Sequence, residues 1–137
     1  MTSSDLPALE TVTGPEVLNE IHRALDRTWV KHHHVPTAVR IAIATGAAEI
    51  GANIVEHAGG SRPVPLRMTI EVSAHHVTVV FTDEGVPATV DLDGVNLPGA
   101  SAKQGRGLAL ASAVLDRLSY HRRGNCNQWT LVSRAFD

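Results

Sequence analysis

The stretch that decides the fold is EIGANIVEHAGG, residues 49–60. Its apolar residues continue a helical pattern and a Gly-Gly pair closes it, which predicts a helix over 38–57. One line of side chains within this helix is polar, namely Glu49, Asn53 and His57. At about 100° per residue, this line lies roughly 90° from the apolar stripe of the helix. A helix with polar groups beside its buried face can form one wall of a cleft.

The core-facing stripe of the same helix consists of four apolar residues: Ile43, Ala47, Ile50 and Ile54. Two glycines inside the helix, Gly46 and Gly51, each cost about 1 kcal/mol relative to alanine. We therefore expect backbone or a ligand to approach closely there. A polar flank without function is the alternative interpretation of the Glu-Asn-His line, and the helix taken alone favours that alternative.

The remaining elements can be predicted from apolar periodicity and turn residues. They are an edge strand near 9–13, a helix within 14–33, strands over 66–72 and 77–83, a long loop over 84–104, a helix directly after Gly107, and strands over 118–123 and 128–136 around a turn at 124–127. Thr37 is placed at the N-cap of the central helix. This order predicts a single α+β domain over residues 1–137. The expected architecture is a two-layer sandwich, a mostly antiparallel mixed sheet covered on one face by helices.

Composition excludes several functional classes. The 137 residues include 12 basic and 14 acidic ones, a net charge of -2, which argues against a protein that follows a nucleic-acid backbone. Cys126 is the only cysteine, so neither an intrachain disulfide nor a multi-cysteine zinc site can form. No basic start precedes an apolar block, and Glu49 and Asn53 interrupt the longest apolar run. We therefore expect a cytoplasmic protein without a membrane-spanning segment.

Two segments carry glycines where a ligand could approach. In FTDEGVP, residues 81–87, Asp83 ends a predicted strand and Gly85 follows, although a simple turn explains this as well. In KQGRGLALASAVLD, residues 103–116, Gly105 and Gly107 stand where a loop becomes a helix. Free N–H groups at a helix start can hold phosphate oxygens, and a flexible hinge is the alternative. The ending of a Walker-type loop is missing.

Taken together, the three motifs resemble those of the GHKL-type (histidine-kinase-like) ATPases. The motifs are Glu49-x-x-x-Asn53-x-x-x-His57, then Asp83-Glu84-Gly85, then Gly105-Arg106-Gly107-Leu108. Within that superfamily the chain is most similar to the anti-sigma factor serine/threonine kinases of bacterial partner-switching pathways. The resemblance covers nearly the whole chain. It implies ATP and Mg²⁺ as cofactors and an ATP lid over about 86–104.

The resemblance also implies a role for each matching residue. Asn53 would bind the Mg²⁺ that bridges the nucleotide phosphates, since hard cations prefer oxygen ligands. Glu49 would be the catalytic base that takes the proton of a serine or threonine hydroxyl. Asp83 would accept a hydrogen bond from the adenine amino group. The other cofactor-binding residues implied are Gly85 beside the base, and Gly105, Arg106, Gly107 and Leu108 at the phosphates.

The expected function is that of an anti-sigma factor with kinase activity. It would bind a sigma factor and phosphorylate an anti-anti-sigma partner of the STAS type. We expect no direct contact with nucleic acid or membrane. The protein could form a homodimer. The lid departs from the family pattern, because Pro87 replaces a frequent glycine and Asp91 and Asp93 add negative charge. These departures favour an alternative, a non-catalytic nucleotide-gated protein-binding module. A plain interaction domain is a third option, and a histidine autokinase is the least favoured.

Overall fold

The computed structural model describes residues 7–58, 62–88 and 102–137, with side chains of the third helix described from Gly105 onward. These ranges form the following elements, in chain order: β1 (Leu9–Val12), α1 (Val17–Lys31), α2 (Thr37–His57), β2 (Pro65–Val72), β3 (Val77–Asp83), α3 (Ala102–Val114), β4 (Arg117–Arg123) and β5 (Cys126–Val132). The Gly59-Gly60 pair and most of the expected lid, residues 89–101, lie outside the described residues.

The described strands form one five-stranded sheet with the order β1-β2-β3-β5-β4, and each neighbouring pair is antiparallel. Residues of β3 alternate between fully buried and half-buried, so one face of this central strand packs under the helices. The predicted two-layer α+β sandwich is therefore confirmed. Because β5 lies between β3 and β4, side chains of the last hairpin come close to the end of β3.

The core lies between the sheet and α2. The apolar stripe predicted on α2 is buried: Ile43, Ala47, Ile50 and Ile54 are each at most 1% exposed. A Cβ added at Gly51 would lie 2.6 Å from Ile21 Cδ1, and one at Gly46 would lie 3.0 Å from Leu115 Cδ1. The close approach expected at these glycines is thus made by apolar side chains of the protein itself.

Two helix boundaries differ from the sequence predictions. Pro36, with φ -62 and ψ 150, takes the N-cap position of α2 without a side-chain cap, and Thr37 is the first helical residue. Proline fixes φ and here adopts the extended ψ of a capping residue, so Thr37 is displaced by one position. Helix α3 begins at Ala102, so Gly105 and Gly107 lie within it.

The expectation that no segment is long and apolar enough to span a membrane is wrong for α2. An 18-residue window within this 21-residue helix reaches a mean hydropathy of 1.3, even with Glu49 and Asn53 inside the helix. The core helix of a folded domain meets the same criterion. In α2 the apolar character follows from burial on the sheet.

Candidate functional site

Helices α2 and α3 meet where Glu49 faces Gly107. A Cβ added at residue 107 would lie 2.5 Å from Glu49 Oε2, so the carboxylate lies directly against the α3 backbone. Asn53, one turn further along α2, is 8% exposed. His57 leaves this wall, since its side chain is 43% exposed and its Nε2 lies 3.6 Å from Glu56 Oε2. Of the three residues in the predicted polar line, Glu49 contacts α3, Asn53 is buried on α2, and His57 is exposed.

The glycine motif of α3 does not precede the helix, as the sequence suggested, but lies inside it. The free N–H groups of an α-helix belong to its first turn, and Gly107 lies beyond the first turn of α3. Gly107 allows the Glu49 carboxylate to lie against the helix, and it does not form a turn. Arg106 is exposed, whereas the Leu108 side chain is 2% exposed and belongs to the core. Only the main chain of Leu108 is therefore available to a ligand.

Asp83 ends β3 as a buried carboxylate, 1% exposed. Its Oδ1 accepts hydrogen bonds from the Gly85 N–H and from Asn127 Nδ2, each at 2.9 Å. Its Oδ2 is buried and is the one such side-chain atom without a hydrogen-bond partner in the described ranges. Burial raises the pKa of Asp83, while Asn127, the Gly85 N–H and the Arg122 charge lower it. An unpaired buried acceptor is costly, so it fits a ligand N–H donor such as a purine amino group.

Gly85 lies against the C-terminal end of α2. A Cβ at this position would overlap the Ala58 carbonyl oxygen and lie 2.6 Å from the Ala58 carbonyl carbon. The next residue, Val86, donates its N–H to the same oxygen at 2.7 Å. The absence of a side chain at residue 85 therefore lets the chain leaving β3 pass the end of α2, a role additional to the expected room for a base.

Sequence reasoning missed three residues of this region, because it predicted only a closing hairpin, with a strand over 118–123 and a turn at 124–127, and assigned the hairpin no role in the site. Asn127 is 2% exposed and contacts Asp83, and its Oδ1 accepts hydrogen bonds from the Tyr120 hydroxyl and from Arg122 Nη1. Strand alternation puts Tyr120 and Arg122 on one face of β4, and Arg122 pairs with Asn127 in the register. That period of two is the signal that could have identified them.

Helix α2 joins the two parts of the site. Glu49 lies against α3, and Ala58 lies against Gly85 beside Asp83. These α2 positions are about 13 Å apart along the helix axis. A ligand that reaches from Asp83 to Glu49 must therefore be elongated. Asn53 lies between these two positions, and its amide oxygen is of the ligand type that Mg²⁺ prefers.

The fold and this arrangement define a GHKL-type ATPase domain. The sequence model of the histidine kinase-like ATPase domain matches residues 13–133. The chain therefore belongs to the histidine kinase-like ATPase domain family. Domains of this family bind ATP, usually with Mg²⁺, which agrees with the open acceptor on Asp83.

Solved structures of histidine kinases share the fold. The catalytic domain of ThkA is 16% identical with a TM-score of 0.55, over 92% of this chain and 95% of that one. The kinase domain of the Erythrobacter litoralis EL346 blue-light activated histidine kinase is 16% identical with a TM-score of 0.52, over 86% and 60%. Acinetobacter baumannii AdeS is 14% identical with a TM-score of 0.53, over 94% and 68%. A comparison with curated protein sequences gave no match.

Proposed function

We propose that this chain is an anti-sigma factor with ATP-dependent protein serine/threonine kinase activity. It binds a sigma factor and phosphorylates an anti-anti-sigma partner of the STAS type, in the cytoplasm. The observation that carries the kinase part is the contact of the Glu49 carboxylate with Gly107, which joins the base to the glycine motif. The order and spacing of the three motifs support the anti-sigma part. A homodimer is compatible with this function.

In the proposed reaction, ATP supplies the γ-phosphoryl group and Mg²⁺ offsets phosphate charge. Asp83 accepts a hydrogen bond from the adenine amino group through its open Oδ2. Asn53 offers its amide oxygen to the cation. Glu49 accepts the proton of the partner's serine hydroxyl while that oxygen bonds to the γ-phosphorus and the bond to the ADP oxygen breaks.

The test combines wild-type protein, Mg-ATP and a candidate STAS-type partner, with Glu49→Gln as the test variant. Glu56→Gln is the matched control, because Glu56 lies on the same helix but is exposed. We expect Glu49→Gln to reduce phosphotransfer by about 10²–10⁴-fold and Glu56→Gln to leave it unchanged. An acid-stable phosphoester on the partner supports serine or threonine as acceptor, whereas an acid-labile product contradicts it and indicates phosphohistidine.

The second candidate is a nucleotide-gated binding module without phosphotransfer. The observation favouring it is the stiff start of the lid, where Pro87 follows two residues whose backbone groups are hydrogen-bonded to Arg122 and Asn127. This candidate predicts that Mg-ADP and Mg-ATP alter partner affinity by different factors while the partner gains no phosphate. Phosphate on the partner, lost with Glu49→Gln, excludes it.

A further inference from the structure

Asn127 uses its full hydrogen-bonding capacity within one network. Its Nδ2 donates to Asp83 Oδ1 at 2.9 Å and to the Val86 carbonyl oxygen at 2.7 Å. Its Oδ1 accepts from the Tyr120 hydroxyl and from Arg122 Nη1, the latter at 3.1 Å. A guanidinium only donates and a carboxylate only accepts, so these partners determine the orientation of the amide.

The same β4 side chains hold the segment that follows β3. Arg122 Nη1 also donates to the Gly85 carbonyl oxygen at 2.6 Å, and the Tyr120 hydroxyl accepts the Ala88 N–H at 2.9 Å. A hydroxyl has one proton, so Tyr120 can accept from Ala88 and still donate to Asn127. The start of the lid and the carboxylate at the end of β3 are therefore held by one set of groups.

Packing makes β4 a firm support for this network. The Tyr120 ring packs on Trp129, with 4.8 Å between ring centroids, and Trp129 is 1% exposed. The register sets Tyr120 opposite Trp129 and Arg122 opposite Asn127. Because the aromatic pair is part of the core, the position of the Tyr120 hydroxyl follows from the fold and not from the nucleotide.

We infer that Tyr120 and Arg122 are positioning residues for recognition of the base. Acting through Asn127, they hold Asp83 so that Oδ1 is occupied and Oδ2 stays open to the amino group at purine position 6. This inference rests on the proposed nucleotide site and adds two residues outside its three motifs. Removing either support relaxes the orientation of Asp83, which weakens selection for an amino group over an oxo group at that position.

The test compares calorimetric affinities for Mg-ADP and Mg-IDP, which differ by an amino or oxo group at position 6. The test variants are Tyr120→Phe, which keeps the ring, and Arg122→Gln. Ser119→Ala and Arg123→Gln are matched controls, because strand alternation places them on the opposite face of β4. We expect the ADP-to-IDP affinity ratio to fall at least about fivefold in both test variants and to change less than about twofold in the controls.

Hydrogen exchange in nucleotide-free protein gives an independent reading. The Ala88 amide should exchange faster in Tyr120→Phe than in Ser119→Ala. An unchanged ADP-to-IDP ratio in folded test variants overturns the inference while the nucleotide site stands. Wild-type protein that binds neither nucleotide overturns the proposed function and the inference with it. If Tyr120→Phe does not fold, Arg122→Gln decides, since the Arg122 side chain lies on the surface.

Discussion

Glu49 of α2 and Gly107 of α3 touch so closely that a Cβ at residue 107 would lie 2.5 Å from Glu49 Oε2. This contact brings together the first and third motifs of the sequence, which are 58 residues apart at Glu49 and Gly107. The fold could accept a small side chain at residue 107, because the neighbouring atom is the end of the flexible Glu49 side chain, which can move aside. The position of the Glu49 carboxylate, by contrast, depends on the glycine. Stability and activity should therefore respond in opposite directions to a side chain at this position.

Gly107→Ala tests this separation. Alanine favours the helix, so we expect the free energy of unfolding to rise by up to about 1 kcal/mol. The new methyl group displaces the Glu49 carboxylate, and a misplaced base lowers phosphotransfer by about 10²-fold. Chemical denaturation and transfer to the partner measure the two effects.

Gly51→Ala is the matched control for that prediction. Its Cβ would lie 2.6 Å from Ile21 Cδ1 in the core, away from Glu49. Overpacking should lower the free energy of unfolding by about 1–3 kcal/mol and leave phosphotransfer by the folded protein unchanged. Equal loss of phosphotransfer in both glycine variants would show that Glu49 is not the group affected.

Gly85→Ala should damage both the fold and the site. The added Cβ would lie 2.6 Å from the Ala58 carbonyl carbon. Backbone atoms cannot relieve this overlap by a rotamer change, so the chain itself would have to shift. We expect the free energy of unfolding to fall by about 2 kcal/mol or more, together with loss of nucleotide affinity. Gly124→Ala is the control: φ is 59° there and nothing lies within 4 Å, so about 1 kcal/mol of strain should arise without an effect on nucleotide binding. Comparable affinities in the two variants would refute the close passage at Ala58.

Asp83 should give the stability a characteristic pH dependence. Burial raises its pKa above 3.8, so between that value and the raised pKa the folded protein holds a proton that the unfolded chain has released. Its contribution to stability therefore falls as pH rises through this window and is constant above it. Urea unfolding of wild type and Asp83→Asn at several pH values isolates this contribution. A raised pKa predicts that the free energy of unfolding of wild type minus that of Asp83→Asn falls as pH rises through the window. An increase of that difference with pH would contradict it.

Asn53→Ala should abolish the Mg²⁺ dependence of nucleotide binding. If the Asn53 amide oxygen is a cation ligand, its loss reduces ATP affinity in Mg²⁺ to the value measured in excess chelator. Wild-type protein should bind more tightly with Mg²⁺ than with chelator. A variant that keeps the full difference between the two conditions would remove Asn53 from the cation site.

The architecture was predictable because apolar spacing is a local signal. Ile43, Ala47, Ile50 and Ile54 follow the helical period and are all buried, so the position of α2 on the sheet could be predicted. The start of α3 could not be predicted in this way. Gly105 and Gly107 have low helix propensity and indicate a loop, yet the tertiary contact with Glu49 requires a residue without a side chain inside the helix.

The support of Asp83 could be predicted even less, because it depends on strand order. Asn127 and Asp83 are 44 residues apart in the sequence, and they meet because β5 pairs with β3. Tyr120 and Arg122 then join through the β4–β5 register. A hairpin rich in basic residues indicates a solvated turn until that register is known.

The most direct measurement is calorimetric titration of Mg-ATP and Mg-ADP into wild-type protein and Asp83→Asn. The substitution keeps the shape of the side chain but can place an amide donor where Oδ2 now offers an acceptor to the adenine amino group. Saturable binding by wild type, lost in folded Asp83→Asn, is the predicted result. Folded wild-type protein that binds neither nucleotide, or an Asp83→Asn variant that binds both as tightly as wild type, would contradict the proposed nucleotide site.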